Sequence, residues 1–269
     1  MEALHPVQIA YSLLFGVTAA VCFGGVSRAL DRLEDSGTRI GLVALLATTG
    51  LWASFYVGRI LVSSAELQLT FYLLGLTAGL TSVGAWLYFC SAYAGKSYHR
   101  RPAVRRLAAA LFVLILGVKF TSPIHGLYFS TMPAVSPFPH LVIRLGIAHW
   151  AVTAAAYALS AVGFYLLFSA FRGSNYAAGR LSVLAGVAAL PVAFNALAYS
   201  GFGSVLTLNY EPVGVGLFAI GMLYVADGSF VAVQRFGREQ LLDEIDEGLV
   251  IVDTDWRIKD TNAAARELF

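Results

Sequence analysis

Five basic or histidine side chains lie near the predicted outer ends of apolar segments, where together they could bind an anion. They are Arg59, Lys119, His125, Arg144 and His149. If they gather around one cavity, its positive potential favours an anionic ligand. The alternative is that the arginines and the lysine extend to lipid headgroups and that the histidines are packed or hydrogen-bonded residues without a ligand.

Two further polar residues, Asn195 and Asp227, lie inside apolar segments, where burial in lipid is costly and needs a reason. Asn195 follows Pro191 by one helical turn, so it can satisfy the carbonyl that the proline leaves without a donor. Asp227 is either an interior hydrogen-bond anchor or a switch that transmits a signal. We therefore treat both as candidate signal residues.

Several chemistries are excluded by what the sequence lacks. A retinal protein needs a lysine in its last membrane helix. The lysines are Lys96, Lys119 and Lys259, and none of them lies in the last predicted span, 213–234, so a conventional retinal protein is excluded. No Ser-His-Asp, His-Glu-x-x-His or phosphate-loop pattern occurs, and no His, Cys, Asp and Glu spacing matches a metal site. We expect no catalytic residue, no metal and no cofactor in this chain.

The composition is that of an integral membrane protein. Of 269 residues, 58% are hydrophobic and 13% are charged, about half the charged share of a soluble domain. One globular core cannot bury so much apolar surface. The net charge of +2 gives no reason to expect nucleic acid as a partner, so the lipid bilayer is the partner that the composition predicts.

Seven apolar segments approach the length of about 20 residues that a membrane-crossing helix needs. The sequence therefore predicts an all-α bundle of seven transmembrane helices. The spans are expected at about 7–30, 40–62, 70–94, 104–121, 147–171, 181–202 and 213–234.

Basic residues concentrate beside one set of connections, which fixes the predicted orientation. The opposite side offers only Arg59, Lys119 and Arg144. By the positive-inside rule the N-terminus is outside and the C-terminus is cytoplasmic, in the plasma membrane. The residues on the predicted inner side are Arg28, Arg32, Arg39, Lys96, Arg100, Arg101, Arg105, Arg106, Arg172, Arg180, Arg235 and Arg238.

The longest connection, 121–146, holds four prolines together with many apolar and aromatic residues. Since proline removes a backbone donor and fixes φ, we expect no regular helix through this stretch. It is predicted to fold as a cap on the outer helix ends, where it either covers a binding cavity or forms an interfacial loop without a ligand.

After the seventh span the pattern changes from membrane helix to soluble fold. Residues 235–247 keep helical spacing and predict a signalling or linker helix. Leu249–Val252 reads as a buried strand, Asp253–Asp255 as a turn and Trp256–Lys259 as a second strand. Asp260, Thr261 or Asn262 is then expected to cap a helix.

The tail, EGLVIVDTDWRIKDTNAAARELF, resembles the N-terminal part of a PAS domain. That family often begins with a helix ending in Glu-Gly, a strand closing on Asp, a second strand and an Asn-x-Ala-Ala helix start. Here these features fall at Glu247-Gly248, Asp253, Trp256–Lys259 and Asn262–Ala265. The resemblance implies that 248–269 is an incomplete PAS start and that the chain is a piece of a longer protein.

The membrane part resembles the seven-helix sensor region that precedes PAS and histidine-kinase modules in prokaryotes, haloarchaea included. The run TSPIHGLYF, Thr121–Phe129, and the exit of the last helix into a PAS start carry this resemblance. It implies a sensor that passes a stimulus through the last helix to a cytoplasmic output. It also implies a homodimer, an unidentified small-molecule or membrane stimulus, and a response regulator as partner if a kinase domain follows.

This sequence departs from the family pattern because phosphate-accepting and ATP-binding motifs are absent from it. The histidines all lie in or beside the membrane part, so none is a sensible phosphate acceptor: they are His5, His99, His125, His140 and His149. A transporter or membrane-embedded enzyme with an incidental tail remains the alternative hypothesis. It predicts a polar path lined by Asn195 and Asp227, with activity that survives removal of the residues after Gln234.

Overall fold

A computed structural model describes residues 4–33, 35–171, 209–223, 250–252 and 258–261, with single positions at 190, 193, 196, 247 and 265. The chain divides into two compact units, Met1–Leu223 and Tyr224–Phe269. Within the described residues, five helices are long and apolar enough to cross a membrane.

The five long helices occur where the hydrophobic pattern predicts the first five spans. The sixth predicted span lies outside the described residues apart from single helical positions, and the seventh is described only through a short apolar helix, α6, at Glu211–Leu223. The long helices are α1 Pro6–Arg32, α2 Ser36–Leu61, α3 Ala65–Tyr93, α4 Pro102–His125 and α5 Ile147–Phe171.

Local sequence signals set the helix ends, which extend a few residues beyond the apolar cores. Before α1, the His5 side chain accepts from Val7 N and the Gln8 side chain accepts from His5 N. Asp35 caps α2 by accepting from Thr38 N at 2.6 Å, and Ser64 caps α3. Such caps satisfy the backbone donors that a helix leaves at its start. The connection between α1 and α2 is only three residues long, since Arg32 ends α1 and Ser36 begins α2.

Close packing of small residues and aromatic rings holds the first unit together. A Cβ built on Gly41 of α2 would lie 2.5 Å from the Cα atom of Phe89 in α3, so only glycine allows these two backbones to approach so closely. The Phe15 ring of α1 stacks on Tyr56 of α2, with ring centroids 4.9 Å apart. Phe15 also stacks on Tyr210, which immediately precedes α6.

The proline-rich connection folds as a β-hairpin between α4 and α5. Strands β1 (Phe129–Ala134) and β2 (His140–Leu145) pair antiparallel, from Phe129 opposite Leu145 to Ala134 opposite His140. The expectation that helix ends near residue 121 was wrong, because α4 continues through Pro123 to His125. A proline removes one N–H near a helix end, where the remaining groups can still be capped.

The second unit contains a short antiparallel pair of strands, β3 Val250–Val252 and β4 Ile258–Thr261. Val250 lies opposite Thr261, and the register is irregular between Ile251 and Val252. Both strands fall within or beside the segments that the sequence predicts as strands. Asp260 and Thr261 belong to β4, and the start of the predicted helix lies outside the described residues.

A buried polar cavity as candidate functional site

The first unit contains a cavity of about 170 Å³ between the helices, open on part of its surface. Side chains of α2, α3, α4, α5 and α6 and of the segments beside them form its wall. The lining residues are Leu45, Trp52, Leu76, Gly79, Leu80, Ser82, Val83, Trp86, Lys119, Tyr128, His149, Val152, Thr153, Ala156, Tyr157, Ser160, Phe164, Asn209, Glu211, Val215 and Phe218.

Lys119 brings a buried ammonium group from α4 into this wall. The side chain is only 3% exposed. Its Nζ donates to the Leu76 carbonyl of α3 at 3.0 Å and lies 5.2 Å from the centre of the Tyr128 ring. An ammonium has three N–H donors, so the Leu76 bond leaves this group able to donate further hydrogen bonds into the cavity.

The α5 wall carries a polar stripe at helical spacing. His149, Thr153 and Tyr157 are each separated by four residues and so lie on one face of the helix. His149 Nε2 is 3.3 Å from Thr153 Oγ1, and its ring packs edge-on against Tyr128. His149 Nδ1 is buried and has no hydrogen-bond partner. A buried polar atom without a partner is costly.

Glu211 adds a carboxylate at the start of α6. Tyr157 donates its phenol hydrogen to Glu211 Oε1, and Asn209 Nδ2 donates to Oε2 at 3.0 Å. The Glu211 backbone N–H donates in turn to Asn209 Oδ1 at 2.8 Å. The carboxylate is thus held in a fixed position, and the cavity wall contains charges of both signs.

Aromatic rings form the apolar part of the wall. The Trp86 ring contacts Phe164 of α5 with centroids 5.0 Å apart and Phe218 of α6 with centroids 4.9 Å apart. The Trp86 indole N–H donates to the Ser160 carbonyl at 3.3 Å. The indole donor is thus satisfied, and the three aromatic rings make this part of the described wall mainly apolar.

The TSPIHGLYF run builds the turn that places Tyr128 in the cavity wall. Ser122 Oγ accepts from Tyr128 N and Phe129 N and donates to the Phe129 carbonyl. Gly126 closes α4 in the left-handed conformation, with φ of 67°, which glycine adopts at little cost. Burial, and then the Glu211 carboxylate, raise the pKa of Tyr128 well above its usual range, so its hydroxyl stays protonated.

His125 completes the same turn as a capping residue. Leu127 N–H donates to His125 Nδ1 at 3.0 Å, which places the ring proton of the neutral form on Nε2, 3.0 Å from Thr121 Oγ1. The His125 side chain is exposed and is not among the residues that line the cavity. The hydrogen bonds of His125 with Leu127 and Thr121 give it a structural role in this turn, and no ligand is needed to explain it.

Arg59 and Gln68 fasten the hairpin to α2 and α3 through one residue, Leu141. Arg59 Nη2 donates to the Leu141 carbonyl at 2.8 Å, and its guanidinium lies 5.1 Å from the Tyr72 ring centre. Gln68 Oε1 accepts from Leu141 N at 2.7 Å. Both backbone groups of a buried strand residue are therefore satisfied by side chains of other elements.

The structure brings together two of the five side chains that the sequence suggested for an outer cavity, Lys119 and His149. Arg59 is buried under the hairpin, while His125 and Arg144 are exposed and do not line the cavity. Asn195 and Asp227 lie outside the described residues. The sequence alone suggested a purely cationic wall. The structure differs, because the carboxylate of Glu211 also lines the cavity.

Sequence reasoning missed Glu211, Asn209, Tyr157, Tyr128 and Gln68. One signal for Glu211 was present, because it and Glu66 are the acidic residues between Asp35 and Asp227. The spacing of His149, Thr153 and Tyr157 was a second signal. Tyr128 lies in the TSPIHGLYF run, but the run did not indicate that it lines a cavity. Gln68 gave no signal, since its role depends on which part of the hairpin it contacts. Among the described residues, no group of three His, Cys, Asp or Glu could hold a metal ion.

Comparison with known proteins places this arrangement in a family. No curated protein matches the chain. The family model described as the N-terminal 7TM region of histidine kinase matches residues 12–230, which covers most of α1, the other four long helices, the hairpin and the cavity. The chain is therefore a multi-pass membrane protein and belongs to the family of N-terminal 7TM regions of histidine kinases.

Proposed function

We propose that this chain is a sensor module that detects a stimulus within a seven-helix bundle and relays it to a cytoplasmic output. The family match over residues 12–230 carries the proposal. The cavity supports it, because the charged side chains Lys119 and Glu211 line its wall. A charged side chain within a membrane protein's helix bundle carries an energetic cost and therefore suggests a functional role. Lys119 and His149 are the proposed signal contacts.

The proposed topology has seven spans in the plasma membrane, with the N-terminus outside and the C-terminus in the cytoplasm. Five long helices and the apolar α6 support this count. The distribution of arginine and lysine supports the orientation. In this orientation the β-hairpin and the polar end of the cavity lie on the outer side, where Arg59 holds the hairpin and Arg144 faces the surroundings.

The proposed relay runs through the last span, the linker helix 235–247 and the PAS start 248–269. The antiparallel pair of β3 and β4 supports a folded element in this region. A shift in population between two arrangements of the last helix is sufficient to carry the signal, with Asn195 and Asp227 as candidate transmitting residues. The module acts as a homodimer, and its downstream partner is a histidine kinase with a response regulator.

Autophosphorylation of the full gene product, with its own downstream domains, tests the sensor function in proteoliposomes. We expect Glu211→Gln and Lys119→Met to change the phosphorylation rate at least about threefold, because each removes a charged side chain from the cavity wall. Glu66→Gln and Lys96→Met are matched controls, since both side chains are exposed, and they should leave the rate unchanged.

Two results would count against this proposal. Folded cavity variants with the wild-type phosphorylation rate would remove the link between the cavity and the output. Solute flux that persists after removal of the residues following Gln234 would favour a transporter, because a transporter has no need of the linker and the PAS start.

A further inference from the structure

Four arginines form a dense patch of positive charge where the connection after α3 leads into the first turn of α4. All four side chains are exposed. No acidic residue occurs between Glu66 and Glu211 in the sequence, so neighbouring residues along the chain supply no counter-charge. The members of this arginine patch are Arg100, Arg101, Arg105 and Arg106.

The hydrogen-bond donors of the arginine patch are not used within the described part of the chain. The Arg101 guanidinium lies 5.0 Å from the centre of the Tyr98 ring. None of the four side chains makes a hydrogen bond or an ion pair with another described residue. A guanidinium has five N–H donors in a planar fork that matches the oxygens of a phosphate. The patch can therefore bind phosphate oxygens without losing a contact inside the protein.

The start of α4 adds to the positive potential of the arginine patch. The helix begins at Pro102 without a side-chain cap and with no acidic residue in its first turn. The N-terminus of a helix carries a partial positive charge, and basic residues beside it are repelled by that charge. An anion at this position would offset the repulsion, which favours a negatively charged partner over a neutral one.

An exposed apolar stripe follows α4 away from the arginine patch. This helix is long and apolar enough to cross a membrane, so the patch at its start lies near the lipid headgroups. Arg106, Val113 and Phe120 follow one another at intervals of seven residues, or about two helical turns, and so lie on one face. Leu107 and Leu114 flank this face, and all four apolar side chains are exposed. A molecule with an anionic head and a long apolar body matches both the patch and the stripe.

We propose that the arginine patch is a binding site for an anionic phospholipid. The headgroup phosphate contacts the guanidinium groups at the start of α4, and an acyl chain lies along the stripe past Val113. An acidic protein segment would pair with the charges but would leave the apolar stripe unmatched, so a lipid fits the two features better. This inference goes beyond the proposed sensor function and does not rest on it, because it concerns neither the cavity nor the output.

A fluorophore on Val113→Cys tests the proposal in the full chain, because it reports which lipid lies beside the stripe. The native cysteines are buried, so the label is specific. Nanodiscs of phosphatidylcholine receive the same low mole fraction of acyl-chain nitroxide-labelled phosphatidylglycerol or phosphatidylcholine, and quenching is measured. We expect at least about threefold stronger quenching by phosphatidylglycerol, since one basic residue near an anionic membrane surface strengthens the attraction roughly fivefold.

A second reporter, on Val17→Cys, controls for a general attraction of anionic lipid to the whole protein. Val17 of α1 is 60% exposed and Val113 is 69% exposed, so the two positions are matched in residue type and exposure. Because the arginine patch adjoins α4 and not α1 along the chain, the two labelled lipids should quench the Val17 reporter equally.

Charge-changing variants separate the arginine patch from a loss of folding. Replacing Arg105 and Arg106 together by glutamine should at least halve the preference for phosphatidylglycerol at the Val113 reporter. Replacing both by lysine keeps the charge and should keep most of the preference. Arg32→Gln removes an exposed charge at the end of α1 and should leave the preference unchanged.

Three outcomes would overturn the proposal. Equal quenching by the two lipids at Val113 would show that the patch does not select an anionic headgroup. The same preference at Val17 would show a general attraction without a site. A preference that emerges only after Glu239, Asp243 and Glu244 are neutralised would assign the patch to the acidic linker of this chain. Quenching is read without phosphorylation, so each of these results leaves the test of the sensor function standing.

Discussion

At the residue scale, this protein satisfies buried backbone groups with side chains from distant parts of the chain. Leu141 is the clearest case, because Gln68 and Arg59 satisfy its N–H and its carbonyl. Gln68 also donates to the Val62 carbonyl at 2.9 Å and the Pro139 carbonyl at 3.4 Å. One glutamine therefore joins the end of α2, the start of α3 and the second hairpin strand.

Replacing this glutamine should loosen the hairpin. Gln68→Leu keeps the size of the side chain but leaves the buried Leu141 N–H without an acceptor, so we expect a loss of about 1–3 kcal/mol of stability. Denaturant unfolding in mixed micelles measures it. Thr70→Val is the control, because Thr70 is exposed and bonds only within its own helix; equal losses for both variants would contradict the role of Gln68.

A second residue-scale prediction concerns His99, in the connection between α3 and α4. Ser91 Oγ donates to the Lys96 carbonyl at 3.1 Å and lies 2.9 Å from His99 Nδ1, so Nδ1 carries the ring proton. His99 Nε2 is buried and has no partner. Burial, followed by Arg100, lowers the pKa of His99, against the smaller opposing effects of Asp35 and the Lys96 carbonyl.

The sign of the pH effect follows from this lowered pKa. The unfolded chain takes up the proton near the ordinary value of 6.5, before the folded chain does, so stability falls as the pH drops below that value. The difference in melting temperature between pH 8 and pH 5.5 should therefore be smaller in His99→Gln than in wild type. Tyr98→Phe keeps the histidine and should keep the wild-type difference; an unchanged pH response in His99→Gln would exclude this group as its source.

At the element scale, the end of α4 decides where the hairpin and Tyr128 lie. Gly126 ends the helix with a left-handed backbone conformation. Ser122 stabilises the turn that follows, because its hydroxyl oxygen accepts from the Phe129 N–H. Gly117, inside the same helix, has ordinary helical geometry. A Cβ added at either glycine would meet no atom within 4 Å, so the two positions differ in backbone conformation and not in available space.

Substituting alanine at these two glycines should change the stability of the protein in opposite directions. Gly126→Ala should destabilise the protein by about 1–2 kcal/mol, because an L-residue is strained in the left-handed region. Gly117→Ala should stabilise it by about 0.5–1 kcal/mol, because alanine is the better helix former. Thermal unfolding of both variants in one lipid mixture checks this, and a stabilising Gly126→Ala would show that the turn does not require its positive φ.

At the scale of the whole molecule, the charge distribution and the hairpin give a testable orientation. Lys96→Cys, in the basic connection after α3, should react with a membrane-impermeant maleimide only from the cytoplasmic side. Val135→Cys, at the hairpin tip where the side chain is 83% exposed, should react only from outside. The native cysteines Cys22 and Cys90 are buried, so the wild-type chain serves as an unlabelled control. Labelling of both positions from the same side would refute the topology.

The limits of sequence-based prediction are clear at particular residues. The first five helices were predictable because each needs only a long apolar run and local caps such as Asp35. The hairpin was foreseen as a folded cap but not as two strands, since its pairing depends on contacts with Arg59 and Gln68. Lys119 and His149 were expected at a cavity. That Glu211 lines the same cavity was not expected, because Glu211 lies 62 positions after His149 in the sequence.

The sequence by itself determined the membrane location, the apolar helices and the clusters of basic residues in particular connections, because these depend on composition and local order along the chain. Only the tertiary structure decided which polar side chains meet, because burial and hydrogen bonding depend on how the helices pack. Packing moved Arg59 beneath the hairpin and left His125 and Arg144 outside the cavity. It placed Lys119 and Glu211 in the wall of one cavity, although 92 positions separate them along the chain.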